Sequence, residues 1–518
     1  MRVDELEMDQ ETSRSVGRMV HPRGVRRALA AMRTNLGREW SAADLAAVAG
    51  VSPRTLQRQF KVFLGKTPGA ALQDIRFERA RRELLQGLSS TKVAGIALHS
   101  GFTHLGRFST DYRRRYGETP SQTLKRQDLF TGTLASMPSL SLSSRDRPTV
   151  ALAAIETGSE NGEVARSIAD ELAMALTRSG VAIVGQSASP RYHLTGALHG
   201  TGRQTRLVLR MIEAHTGRHL SVYRADGPFG GSSASEEHLA TRIAAAFQPF
   251  LRLAEIDGAL QKPDTDLSVY ELTLRAMPGV LSFSADGNKH ALELLESAID
   301  RDPDHALAVA LASWAHAQRV ICHFTDNPAE DLALSKELAR KAQALAADAT
   351  VLAILGNALT LIHDLDTAGR IIGKALALDG GSAWAWSRSG WIDVYRGEAE
   401  SGIERLKIAL DLAPQDPLVF NTMLGIGCAY FDTGRYLDAA LWQERALLEN
   451  PSAIWVHRSL CPAYLFAGKK AEAQRSVRAL RNRYPDLTVS EVQQNLPPLP
   501  IACSNKFAEA LHSAGLPC

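Results

Sequence analysis

The chain is expected to be multidomain and mainly α-helical, with an all-α head of two helix-turn-helix units, a small α/β domain in the middle and an α-solenoid over the C-terminal half. Three observations predict this. At 518 residues the chain is too long for a single core. Between Ser41 and Tyr116 two helix, glycine-turn, helix sentences flank a long arginine-studded stretch. From residue 264 onward, helical apolar periodicity is interrupted at near-constant intervals, which marks a stack of helix pairs.

The net charge of +3 hides an asymmetry, because residues 1–130 hold 23 Lys and Arg against 13 Asp and Glu. A basic head on a mildly acidic body predicts a polyanion partner for the head alone. The five cysteines are scattered and show no CxxC spacing, so neither a disulfide framework nor a zinc site is expected and a reducing cytoplasm fits. The first 15 residues are acidic and polar where a signal peptide is basic and then apolar. The longest apolar run, at 351–362, falls short of the roughly 18 to 20 residues of a membrane span. A soluble protein with no membrane partner is expected.

Residues 1–20 read as a disordered acidic tail and 21–130 as the head. Val25, Leu29 and Met32 recur at helical spacing. Ser41 is a good N-cap with Asp44 three residues on, and Leu45, Ala46 and Val48 give the buried side of the next helix. Ser52 caps another, with Pro53 at its first position, where a missing N–H costs nothing. There Leu56, Phe60 and Phe63 share one face, so Arg54, Gln57, Arg58 and Lys61 point away from it. Thr67-Pro68 launches a helix to about Gln86 that carries Arg76, Arg79, Arg81 and Arg82. About 20 helical residues span roughly 30 Å, close to the ~34 Å between successive major-groove faces.

The stretches LAAVAGVSPRTLQRQFKVFLGKTPGAALQDIRFERARRELL and IALHSGFTHLGRFSTDYRRRYGETPSQTLKR together resemble the AraC/XylS-type DNA-binding domain over about 100 residues. The resemblance implies base contacts from Arg54, Gln57 and Arg58 in the first unit and from Leu105, Gly106, Arg107 and Thr110 in the second, by Arg to guanine and Gln to adenine. The second half departs from the family pattern: Gly106 stands where a polar residue is usual, Thr110 where an arginine is usual, and Asp111 adds an acid. Readout is therefore expected mainly in the first unit. Lys61, Arg113, Arg114, Arg115, Lys125 and Arg126 are expected to grip phosphates, which positions the protein without specifying sequence.

Residues 131–147 are Ser-, Thr- and Pro-rich and read as a flexible linker. From 148 to 262, short β-rich runs surround one helix and end in another at about 235–253, with Gly217 turning a hairpin. IADELAMALTRSG and HLTGALHG…RLVLRMIEAHTGRHL resemble the TolB-like (FlgO-like) module, with which no catalytic residue travels. His193, His199, His215 and His219 lack a supporting Cys or carboxylate pattern and read as surface histidines; DGPFGGSS lacks the order of a phosphate loop. No metal and no cofactor is expected.

In residues 264–518, counting back from recurrent Ala-x4-Pro endings places units near Ala349, Ala383, Phe420 and Ile454. They resemble tetratricopeptide repeats, with Trp386, Gly390, Gly402, Ala409 and Pro414 matching in one unit and Gly427, Tyr430, Ala439, Ala446 and Pro451 in the next. A looser unit at about 304–348 and a partial one at 270–303 precede them, about five to six in all, and FAEALHSAGLPC closes the stack as a cap. On the first helices, Trp384, Trp391, Asn421, Phe431, Trp455 and Arg458 are expected to face one groove, open to a protein or peptide partner.

No nucleophile elbow, zinc motif or phosphate loop occurs, so an enzyme is not expected. The reading is a sequence-specific transcriptional regulator that binds double-stranded DNA. The family resemblance favours activation over repression, and with it RNA polymerase as a partner. The alternatives are a repeat scaffold or adaptor with a degenerate DNA-binding head, or a cyclase-related signalling protein lacking its catalytic domain. No motif encodes the oligomeric state.

Overall fold

The computed structural model describes residues 23–34, 38, 40–64, 66–86, 93–116 and 119–124, then 147–158, 161–185, 188–200, 205–227, 229, 233–346 and 348–518. The tail at 1–20 and nearly all of the 131–147 linker lie outside the described residues. The chain divides into two compact units, 1–129 and 130–518.

The first unit contains α1 (Arg23–Thr34), α2 (Ala42–Ala49), α3 (Pro53–Leu64), α4 (Pro68–Gln86), α5 (Val93–His99) and α6 (Leu105–Tyr116). Ser41 and Asp44 form a reciprocal capping box at the start of α2, with Asp44 N–H donating to Ser41 Oγ at 3.0 Å and Ser41 N–H to Asp44 Oδ2 at 3.1 Å. Gly50 ends α2 in the left-handed region at φ 72°, a conformation that costs a side-chain-bearing residue more. Val48 is exposed, and Ala49 takes the buried place expected for it beside Leu45 and Ala46.

Two small cores result. Val25, Met32, Leu45, Leu56, Phe60 and Leu72 form one; Phe77, Leu84, Ile96, Phe108 and Tyr112 form the other. Helix α4 feeds both, Leu72 at its start and Phe77, Ala80 and Leu84 further along, so it is the spine joining the two helix pairs.

In the second unit a five-stranded sheet has the order β2-β1-β3-β4-β5, with β1 (Thr149–Thr157), β2 (Ala182–Val184), β3 (Tyr192–His199), β4 (Thr205–Glu213) and β5 (His219–Gly227). β1 pairs parallel with β2 and β3, while β3, β4 and β5 are antiparallel. Helix α7 (Gly162–Arg178) crosses from β1 to β2, as parallel strands require. Gly217, at φ 71°, turns the β4–β5 hairpin. The core of this layer is built from Ile168 and Leu172 of α7 and Ile243, Phe247 and Leu251 of α8 (Ser233–Gln261), packed with Val150, Leu194, Leu207 and Leu209 of the strands.

Helix α8 outruns the expected 235–253 and contains Pro249. Its extra length has a physical reason. Leu251 and Ala254 still belong to the sheet core, whereas Ile256 and Ala259 belong to the core of the helical stack, so one helix serves both. Glu255 on the same helix is buried and accepts hydrogen bonds from Arg191 and, at 2.8 Å, from the Tyr192 hydroxyl.

Among the described residues, six antiparallel helix pairs follow: α9 (Val269–Ser282) with α10 (Ala285–Arg301), α11 (Ala306–Ile321) with α12 (Pro328–Leu345), α13 (Ala349–Leu361) with α14 (Leu365–Leu378), α15 (Ala383–Tyr395) with α16 (Ala399–Leu412), α17 (Val419–Asp432) with α18 (Tyr436–Glu449), and α19 (His457–Phe466) with α20 (Lys470–Arg483). The expected unit starts match α13, α15 and, within a residue, α17; Ile454 opens a 3-10 turn that runs into α19. The pair at 269–301 is complete, not partial. Within α15–α16, a Cβ on Gly390 would lie 2.9 Å from Gly402 O, so these glycines let the two backbones touch. Helices α21 (Val489–Gln494) and α22 (Ile501–Ser513) end the stack.

The sheet layer is tied to this stack by a largely buried triad. The Arg252 guanidinium lies 2.9 Å from Asp416 Oδ2 and 3.9 Å over the Trp384 ring, while Trp384 Nε1 donates to Asp416 Oδ1 at 2.9 Å. Among the described residues no helix is long and apolar enough to cross a membrane.

Candidate nucleic-acid interface

Helix α3 starts from Ser52, whose Oγ accepts the Thr55 N–H at 3.2 Å. Burial of Leu56 and Phe60 fixes its rotation, and the opposite face then presents Arg54, Gln57, Arg58 and Lys61 to solvent. Among the described residues neither Arg54 nor Arg58 is in an ion pair. A helix locked on one side, with two unspent guanidiniums and an amide on the other, is equipped to donate to guanine and adenine edges.

Helix α6 is built the same way, but Thr110 and Asp111 on it are occupied. Phe108 and Tyr112 are buried, and Leu105, Gly106, Arg107 and Thr110 are exposed. The Thr110 hydroxyl donates back to Gly106 O at 3.1 Å. Asp111 sits between Arg107, at 3.8 Å, and Arg114, at 3.0 Å. Gly106 offers no side chain, and a Cβ there would meet nothing within 4 Å among the described residues.

Of the residues expected to grip phosphate, Arg113 is exposed on α6. Arg115 is engaged inside the head: its guanidinium lies 2.5 Å from Asp74 Oδ1 on α4 and 5.7 Å from the centres of the Phe77 and Tyr116 rings, and Lys66 holds the other Asp74 oxygen. Burial works to raise the Asp74 pKa, but hydrogen bonds from Lys66 and Arg115 outweigh it and leave the carboxyl below its ordinary value. Lys125 and Arg126 lie outside the described residues. The α4 arginines also serve the fold, since Arg76 donates to Arg38 O at 2.9 Å and Arg81, buried, lies 4.3 Å over the Tyr116 ring.

The residues expected along an open groove in the body are instead nearly all enclosed. Phe431 is fully buried among Tyr436, Phe466 and Phe507 and forms core. Trp384 is committed to Asp416 and Arg252. Trp391, Asn421, Trp455 and Arg458 do come together, around an interior cavity of about 50 Å³. The closing residues come from the C-terminal segment, Leu496, Pro497, Leu499 and Phe507, which lies far along the chain from the helices it covers. Arg388 and Tyr395 line the same cavity. Their spacing from Trp384 and Trp391 on α15, at steps of three and four, was the signal that places them on that face.

Residues 45–126 match the family model described as a helix-turn-helix domain. The chain is 37% identical over 102 residues to a probable thc operon regulatory protein of Rhodococcus erythropolis, covering 20% of this chain and 31% of the relative. It is 39% identical over 92 residues to a XylDLEGF operon transcriptional activator of Pseudomonas putida, covering 18% and 29%. A solved AraC-type transcriptional regulator from Chromobacterium violaceum aligns at 32% identity over 20% of this chain and 90% of that one, with a TM-score of 0.19. The chain thus spans about a third of the length of these curated relatives.

Proposed function

We propose that this chain, whose head carries an AraC/XylS-type helix-turn-helix DNA-binding domain, is a sequence-specific transcriptional regulator of the cytoplasm, in the activating sense borne by the name of its Pseudomonas putida relative. The observation that carries this reading is the α3 face, where Arg54, Gln57 and Arg58 are exposed on a helix whose other side is fixed by Leu56 and Phe60. Helix α3 reads bases and α6 mainly holds the backbone, because Thr110 and Asp111 have turned to intrahelical partners. The 19-residue α4, roughly 28 Å long, separates the two elements by nearly one DNA turn. Activation would make RNA polymerase a partner.

The body is then the regulatory half: a TolB-like layer joined through α8 to tetratricopeptide-type helix pairs, whose exposed outer helices are available to a protein partner. Selection of bound duplexes from random DNA by the full chain tests the reading. A motif with one sharply defined half-site and one weakly defined half-site about a turn away is expected. A second reading, a repeat scaffold with a degenerate head, draws on the same occupied α6 face; it predicts no selected motif at all.

A further inference from the structure

We propose that the interior of the helical stack is a binding site for a small carboxylate with an apolar body, held by Arg388 and Arg458 beneath the C-terminal segment. Both arginines line the cavity of about 50 Å³, and they are only 4% and 5% exposed. Even the partly buried arginines of this body have carboxylates: Arg252 has Asp416, Arg405 has Asp393, and Arg319 has Asp331. Arg388 and Arg458 have none among the described residues. Arg458 donates to Ile321 O at 2.5 Å and Arg388 Nε to Asn357 Oδ1, both neutral acceptors.

The other polar groups around the cavity do not supply the missing charge. Burial pushes the Cys322 thiol up to about 12 and raises Cys428 and the Tyr395 phenol as well, so all three stay neutral. Burial likewise pulls Arg388 down to about 10 and lowers Arg458, the opposite of the upward shift of Arg435, which is paired with Asp438. The Trp455 indole N–H, in the same wall, is buried without a hydrogen-bond partner among the described residues. The cavity therefore combines two cations without a carboxylate among the described residues, Arg458 lying only 5.4 Å over the Trp455 ring, with an unused donor, an arrangement that an anion would relieve.

The rest of the wall selects the kind of anion. Phe283, Trp391, Leu424 and Phe507 are apolar, and a doubly charged, strongly hydrated phosphate would be poorly matched to them. A carboxylate can take a bidentate guanidinium while its carbon chain rests on the rings. The space corresponds to about four water-sized centres, so a short-chain acid of about four to six heavy atoms fits.

The test uses the full chain, titrated calorimetrically with propionate, butyrate, their amides and inorganic phosphate. A saturable, one-to-one response to a carboxylate, absent with its amide and with phosphate, is expected. Arg458→Met should weaken it about tenfold or more, while leaving the unliganded unfolding midpoint unchanged or higher, because it removes an unpaired buried charge. No saturable response, an equal response to the amide, preferential phosphate binding, or unchanged affinity in a folded Arg458→Met protein would each overturn the proposal. The amide comparison needs no variant, so it stands even if Arg458→Met misfolds.

Discussion

Replacing Arg115 with alanine should act on the stability of the head and leave the number of phosphates it contacts unchanged. The ion pair is close, at 2.5 Å, but the side chains of Arg115 and Asp74 are 37% and 21% exposed, so solvent screens it. Exposed pairs contribute about 0.2 to 1 kcal/mol, and the upper end applies to a pair that is half enclosed. The ring contacts at 5.7 Å add about 0.5 kcal/mol. Asp74 keeps Lys66 and is not orphaned, which bounds the total at about 1 to 1.5 kcal/mol. For a domain of this size that lowers the unfolding midpoint by roughly 5 to 10 °C. The assay pairs hydrogen exchange across the α4 and α6 amides with anisotropy titrations of a duplex against salt, using Arg113→Ala as the comparison. Arg113→Ala should reduce the log–log salt slope by about 0.9 with little change in exchange. If Arg115→Ala instead lowered the slope by that amount and left exchange untouched, the assignment of Arg115 to the fold would be refuted.

Arg58→Ala should cost about 1 to 3 kcal/mol on a selected duplex and little on a random one; equal losses on both would make Arg58 a backbone contact. Gly390→Ala should destabilise the body by about 1 to 3 kcal/mol in denaturant unfolding, since its Cβ would stand 2.6 Å from Leu406 Cγ and 2.9 Å from Gly402 O; unchanged stability would contradict the close approach of α15 and α16. Asp379 provides a pH-dependent case. Burial raises its pKa from 3.8 to about 6 although Gly381 N–H donates to it. Its contribution is fully present below about pH 4 and is lost as pH rises through about 6, so Asp379→Asn should gain about 2 to 3 kcal/mol at pH 8 and nothing at pH 4. A gain of equal size at both pH values would rule out titration of Asp379 as the cause.

What could be read in the sequence was local. The Ser41–Asp44 box, the Ser52-Pro53 start of α3 and the Gly217 turn are set by residues three or four apart, and α3 presents Arg54, Gln57 and Arg58 because Leu56 and Phe60 occupy the opposite face of the same helix. The repeat starts at Ala349 and Ala383 are legible because Ala-x4-Pro endings recur at near-constant intervals along the chain. What could not be read depends on partners distant in the chain. Arg115 looks like a phosphate contact until Asp74, 41 residues earlier, is placed beside it. Phe431 looks like groove lining until Phe507 covers it, and the concave face of α15 looks open until residues 496–499 close over it. Helix α8 runs beyond its sequence pattern because its last turns pack on a second core that periodicity within one helix does not reveal.

The central claim is that the head reads DNA sequence through α3. Titrating the full chain against one selected duplex and one scrambled duplex, from low to high salt, tests it most directly. The account predicts steep negative log–log slopes of similar size on both, with the selected duplex bound at least a thousandfold tighter, about 4 kcal/mol, at every salt concentration. Equal affinity for the two duplexes, or a flat slope on both, would contradict it.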